Sequence, residues 1–182
     1  MAKRVARVLI EADEVQAFVK RIAEEINRDY AGKKVMLICV LKGAFIFLGD
    51  LIRYLDVDCE VDFMAVSSYE GVKSTGVVRI LKDLDSDISG KHVIVVEDIV
   101  DTGLTLDHLT NLLSTRGPAS IRVCTAFDKP SRRKVDTAVD YIGRSIPDEF
   151  IVGYGLDFDE YYRNLPYVAV LEDVPAEELD EQ

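Results

Sequence analysis

Residues 93–106 read Val-Ile-Val-Val-Glu-Asp-Ile-Val-Asp-Thr-Gly-Leu-Thr-Leu, and the fold turns on how that stretch is read. Val93 to Val96 are four consecutive apolar, β-branched residues, the pattern of a strand buried on both faces. Polarity then switches to two adjacent carboxylates, Glu97 and Asp98, which predicts that the buried strand ends at a charged rim. Asp101-Thr102-Gly103-Leu104-Thr105 follows, and Leu106, Leu109, Leu112 and Leu113 recur at helical spacing. Strand, loop and helix in that order predict an α/β fold, with a mainly parallel twisted sheet flanked by helices.

In open parallel sheets, ligands bind outside the carboxyl ends of the strands, where a helix N-terminus offers unpaired N–H groups to an anion. The loop 101–105 is therefore a candidate phosphate cradle. It is not a Walker A loop, because Gly-x-x-x-x-Gly-Lys-Ser/Thr is absent, and its single glycine rules out a dinucleotide fingerprint. Adjacent carboxylates repel phosphate, but their oxygens accept hydrogen bonds from a cis diol or sit near Mg²⁺. A ribose 5-phosphate fits that layout.

Outward from this centre the same pattern repeats. Arg4 to Ile10 reads as a strand, followed by a helix with Val15, Phe18, Val19, Ile22, Ala23 and Ile26 on one face and Asp13 with Gln16 as its capping box. Val35 to Leu41 is a second buried strand, running through Lys42-Gly43 into an apolar helix from Ala44 to Leu55. Strands Glu60 to Val66 and Val77 to Leu81 enclose a polar connector, 67–76, whose length marks it as a possible lid. Gly117-Pro118 stops the central helix, and Ile121 to Phe127 is a strand ending at Asp128-Lys129. Tyr141-Ile142, Phe150 to Val152 and Val168 to Leu171 are short strands before an acidic tail, 172–182.

Composition narrows the classes. With 182 residues, 48% of them hydrophobic, the chain 1–182 is read as a single domain. No apolar run approaches the ~20 residues of a membrane helix, and the N-terminus lacks a signal peptide's apolar segment, so a cytoplasmic protein without membrane association is expected. Six acidic residues and no basic one lie in 172–182; without them the net charge of −11 becomes −5. That balance argues against nucleic acid as a partner. Cys39, Cys59 and Cys124 are expected as buried free thiols, and His92 and His108 as surface or cap residues without zinc.

The segment Glu97 to Thr105 resembles the phosphoribosyl pyrophosphate (PRPP) motif of the type I phosphoribosyltransferases. The variant Glu-Asp-Ile-Val-Asp-Thr-Gly is most similar to the branch acting on hypoxanthine and guanine. The resemblance spans about residue 5 to 171 in several separate motifs. It implies the type I phosphoribosyltransferase fold, with a small hood built from the N-terminal segment and about 129–171. It also implies a purine-salvage activity: transfer of 5-phosphoribosyl from PRPP to N9 of a 6-oxopurine, giving IMP or GMP and pyrophosphate, with Mg²⁺ as cofactor and a homodimer or homotetramer as the assembly.

Residue by residue, it assigns Glu97, Asp98, Asp101, Thr102, Gly103, Leu104 and Thr105 to the ribose and 5′-phosphate. Leu41, Lys42 and Gly43, a loop that often carries a cis peptide in the family, go with Arg163 to pyrophosphate. Lys129 goes to the purine O6, Phe150 to stacking, and Ile151 and Asp157 to the pyrimidine edge of the base. Glu97, Asp98 and Asp157 lie near the metal, and Ser68-Tyr69 opens the lid. Asp101, between the diol pair and the cradle, is expected to act as general acid/base at purine N7. The chain departs from some relatives at Leu104, which stands where they carry a basic residue.

Overall fold

A strand buried on both faces needs a helical layer on each side, and the chain supplies both. The computed structural model describes residues 2–68 and 78–174. β1 (Ala2–Ile10) passes through one residue into α1 (Ala12–Asp29), and β2 (Val35–Leu41) leads to α2 (Phe45–Leu51). β3 (Cys59–Ser68) and β4 (Val78–Lys82) precede the central β5 (His92–Val100) and α3 (Leu104–Ser114). β6 (Ser120–Asp128), β7 (Tyr141–Ser145), β8 (Ile151–Val152) and β9 (Val168–Val174) complete the order.

The large sheet runs β4-β3-β2-β5-β6-β7 and is parallel except for β4, which is antiparallel to β3. Alternation along its inner strands sorts the core. Leu37, Cys39, Ile94 and Val96 pack with apolar residues of α1 and α2, while Met36, Ile38, Val40, Val93 and Val95 pack with Leu106, Leu109 and Leu113 of α3. The small sheet, β1-β9-β8, is antiparallel and joins the two ends of the described chain. Among the described residues no helix is long and apolar enough to cross a membrane.

The strand order reverses between β2 and β5, because β2 is followed by β3 on one side and β5 by β6 on the other. The crevice at the carboxyl ends of those two strands is the switch point where an open α/β sheet binds ligands.

Several expectations change in the folded chain. β5 does not stop at Val96: it pairs with β6 through Glu97↔Thr125, Ile99↔Phe127 and Val100↔Asp128, so the acidic pair lies inside a strand. Ladder partners, not side-chain polarity, decide where a strand ends. The apolar segment after Gly43 is helical only to Leu51 and finishes as a 3₁₀ turn over Ile52–Tyr54. The first helix starts at Ala12, and its cap contact runs from Glu11 N to the Glu14 carboxylate (3.0 Å), replacing the expected Asp13–Gln16 box; Gln16 instead reaches Asp50 at 2.8 Å.

β9 continues past Leu171, so Glu172 and Asp173 belong to a strand and not to a tail. They lie opposite Arg4 and Lys3 and pair with them, each at 2.9 Å. β7, within the span expected for the hood, is the edge strand of the large sheet. Cys59 is exposed, while Cys39 and Cys124 are buried. His92 is half-buried, its Nδ1 2.8 Å from Ser120 Oγ.

Candidate active site

Three strand ends bring their loops to the crevice: 41–43 after β2, 101–103 after β5, and Asp128-Lys129 at the end of β6. The cradle is held from behind. Arg133 donates to Asp101 O (2.8 Å), Lys134 N to Thr102 O (2.9 Å), and Thr137 Oγ1 to Gly103 O (3.4 Å). Arg133 also pairs with the buried Asp128. Three successive carbonyls are thus tied to the 133–137 segment. Gly103, at φ +81°, turns the chain into α3, whose first N–H groups have no intrahelical acceptor and can face an anion. Thr102 Oγ1 accepts from Leu104 N at 3.4 Å, and Leu104 is the first helical residue.

Asp98 and the β2 loop are in direct contact. The Leu41–Lys42 peptide is cis, and a Cβ on Gly43 would collide with Asp98 Oδ2. A Cβ on Gly155, at φ +97°, would likewise collide with Gly43 O, so the 153–157 turn packs on the other side of the same loop. The two glycines let three backbone segments stack at the switch point where side chains would separate them.

The acidic pair is electrostatically strained. Glu97 is buried, and loss of solvent together with the neighbouring Asp98 charge drives its carboxyl well above the ordinary range. Asp98 keeps part of its surface open but is packed deeply enough that burial raises it to about 6. The Ile99 amide (2.7 Å) and the Arg163 charge oppose that rise, and Asp157 adds to it. Diol hydroxyls or a cation would relieve this excess of negative charge.

Arg163 and Lys42 are the cations opposite. Arg163 contacts Asp157 (3.0 Å) and Gly155 O (2.8 Å), and its buried Nε has no hydrogen-bond partner among the described residues. Lys42 Nζ lies 3.0 Å from both oxygens of Glu160, which also reaches Arg163 at 3.4 Å. The Lys42 ammonium holds the Glu160 carboxyl below its usual range. Two cations and an unpaired buried N–H carry more donors than the Asp157 and Glu160 carboxylates use.

At the third strand end, Lys129 is buried and donates to Glu149 O at 2.7 Å, beside Phe150. Phe150 is 49% exposed, whereas Ile151, next along, is buried. A buried ammonium beside an open aromatic face suits a flat heterocycle carrying a carbonyl oxygen.

Asp101, expected to be free, is engaged: its Oδ1 accepts from Arg132 Nε at 2.6 Å, and Arg132 also reaches Asp148 at 3.3 Å. Ser68 closes β3 in its backbone, and Tyr69, expected to begin the lid, lies outside the described residues. Among the described residues no three His, Cys, Asp or Glu side chains converge as metal ligands. Asp98 and Asp157 nevertheless form a two-carboxylate set, which fits a Mg²⁺ that takes its remaining ligands from water and substrate phosphates.

Sequence reading missed Glu160 and the 133–137 brace behind the cradle. The two glycines of Gly153-Tyr154-Gly155 marked the turn in the sequence, and all three residues take positive φ in the fold. The missed ones are charged or polar residues with no periodicity to mark them.

Comparison with known proteins places these features in context. The model of the phosphoribosyl transferase domain matches residues 11–159. A hypoxanthine-guanine phosphoribosyltransferase of Streptococcus thermophilus (strain CNRZ 1066) is 47% identical over 174 residues, covering 95% of this chain and 97% of that one. One of Staphylococcus aureus (strain Mu50 / ATCC 700699) is 45% identical over 172 residues, covering 94% and 96%. A crystal structure of a hypoxanthine-guanine phosphoribosyltransferase from Bacillus anthracis superposes with a TM-score of 0.90 at 46% identity, covering 94% of this chain and 100% of that one.

Proposed function

This chain belongs to the phosphoribosyl transferase domain family, and from that footing we infer that it is a purine-salvage enzyme, a hypoxanthine-guanine phosphoribosyltransferase. It transfers 5-phosphoribosyl from PRPP to N9 of hypoxanthine or guanine, releasing IMP or GMP and pyrophosphate. The observation that carries this reading is the convergence at one switch point of the 41–43 loop, the Glu97-Asp98 pair and the Asp157–Arg163 segment.

In the reaction the bond from C1 to pyrophosphate breaks, the bond from C1 to N9 forms, and the proton on purine N7 leaves. The sugar becomes cationic and the departing diphosphate gains negative charge. Lys42, Arg163 and the 41–43 amides take up that charge, and the unpartnered Arg163 Nε supports this assignment. Glu97 and Asp98 accept from the ribose hydroxyls, while Thr102, Gly103, Leu104 and Thr105 enclose the 5′-phosphate. Lys129 donates to O6, Phe150 stacks on the base, and Ile151 and Asp157 meet its pyrimidine edge. Asp101 takes the N7 proton once Arg132 releases the Asp101 carboxylate and turns to Asp148 alone. Mg²⁺, when bound, neutralises the diphosphate; Asp98 and Asp157 would hold it, with Glu97 behind them. Ser68 and Tyr69 open the lid that excludes water.

A homodimer or homotetramer in the cytoplasm completes the reading. Light scattering after size exclusion tests that assembly. For the activity, the purified chain is incubated with PRPP and Mg²⁺ and with hypoxanthine, guanine, xanthine or adenine separately. Nucleotide and equimolar pyrophosphate should form with hypoxanthine and guanine. No turnover of any 6-oxopurine would overturn the assignment.

A further inference from the structure

The Phe150 ring is fastened by the opposite end of the chain. Lys3, on β1, places its ammonium 5.4 Å from the centroid of Phe150 and 5.5 Å from that of Phe158, so it is wedged between two aromatic rings. Those rings meet edge to face, 5.8 Å between centroids at 87°. Phe158 packs on the small cluster of Val152, Ala169 and Leu171 and forms the fixed wall. Lys3 is itself held by Asp173, its ladder partner across β1 and β9, at 2.9 Å. Four residues further along β1, Arg7 grips the Glu149 carboxylate at 2.8 and 2.5 Å, and Glu149 O is the acceptor for Lys129.

Two basic side chains of β1 thus act on consecutive residues, 149 and 150, that form the base-binding platform. An ammonium attracted to an aromatic face restrains that ring's tilt. An open ring on a two-residue strand, as Phe150 is beside β8, has little else to fix its plane. We propose that Lys3 is a positioning residue for purine recognition, orienting Phe150 so that its plane is set before the base arrives, with Arg7 anchoring the preceding residue. The proposal rests on the reading of Phe150 as the purine-stacking residue.

Lys3 touches neither substrate, so its effect should be confined to the base. In steady-state assays, Lys3→Met should raise KM for hypoxanthine roughly twofold to fivefold, the range of a partly exposed cation–π contact, with kcat and KM for PRPP nearly unchanged. Lys3→Arg, which keeps the charge, should restore the wild-type value. Phe150→Ala should raise KM for hypoxanthine further, and adding Lys3→Met to it should have no added effect, because the ring through which Lys3 acts is gone. Unchanged KM in Lys3→Met beside an impaired Phe150→Ala would overturn the proposal alone. Additive effects in the double variant, or equal shifts in both KM values, would do the same by marking Lys3 as merely structural. An unchanged KM for hypoxanthine in Phe150→Ala would overturn the stacking assignment, and the proposal with it.

Discussion

Asp98→Asn should make the ligand-free protein more stable while abolishing most of its activity. Burial raises the Asp98 carboxyl from 3.8 to about 6, so the folded chain binds this proton more tightly than the unfolded chain does. Stability from such a group is greatest at low pH and falls as pH rises from about 4 through about 6. Ionisation is then a fixed cost, ~3 kcal/mol at ~1.4 kcal/mol per unit. Asparagine keeps an oxygen to accept from the Ile99 amide and carries no charge, but its NH₂ must find partners near Gly43. Allowing ~1 kcal/mol for that leaves a gain of ~2 kcal/mol at pH 8. Removing the Asp98 charge also eases Glu97, whose carboxyl that charge pushes upward. Urea unfolding of both proteins at pH 8 and pH 4.5, without ligand, provides the assay. The Asn variant should have the higher midpoint at pH 8, with the same slope, and the gap should shrink at pH 4.5. Equal midpoints at pH 8, or a wider gap at pH 4.5, would refute the claim that a buried charge held ready for substrate destabilises the resting site.

Other substitutions probe the remaining parts. Asp101→Asn keeps shape but removes the basic oxygen, so kcat should fall roughly 10²- to 10⁴-fold with KM for PRPP little changed; near-normal kcat in single-turnover assays would exclude Asp101 as the base. Lys129→Ala removes the buried ammonium beside Phe150, and KM for hypoxanthine should rise far more than KM for PRPP; the ratio of the two, measured against wild type, is the check. Gly43→Ala places a Cβ against Asp98, displacing the 41–43 loop; kcat/KM for PRPP should drop roughly 100-fold while the far-ultraviolet circular dichroism stays that of the wild type.

Much of the fold and the centre of the site could be read from the sequence, because both rest on local chemistry. Val93 to Val96 can be buried on both faces only in a helix-covered sheet, and Val35 to Leu41 repeats the message. The turn chemistry at Lys42-Gly43 and Asp101 to Thr105 marked where strands give way to loops at the crevice. Periodicity carried the core of α1 as far as Ile26. What a single stretch cannot encode is its partner: β5 runs on to Val100 because β6 continues beside it, which places Glu97 and Asp98 within a strand.

The same limit governs the charged residues. Glu172 and Asp173 look like a solvated tail until β1 lies opposite them, where Lys3 and Arg4 turn them into ladder partners. Arg132 to Thr137 carry no periodic pattern, yet they hold the cradle's carbonyls and, through Arg132, Asp101. Burial follows from apolar patterning that each segment carries with it, so the sequence alone determined the layers and their order. An ion pair depends on two groups brought within a few ångströms from distant positions, and a surface charge leaves no periodic trace. Only the tertiary structure decided which cation meets which carboxylate, and therefore how the site is held before its substrates bind.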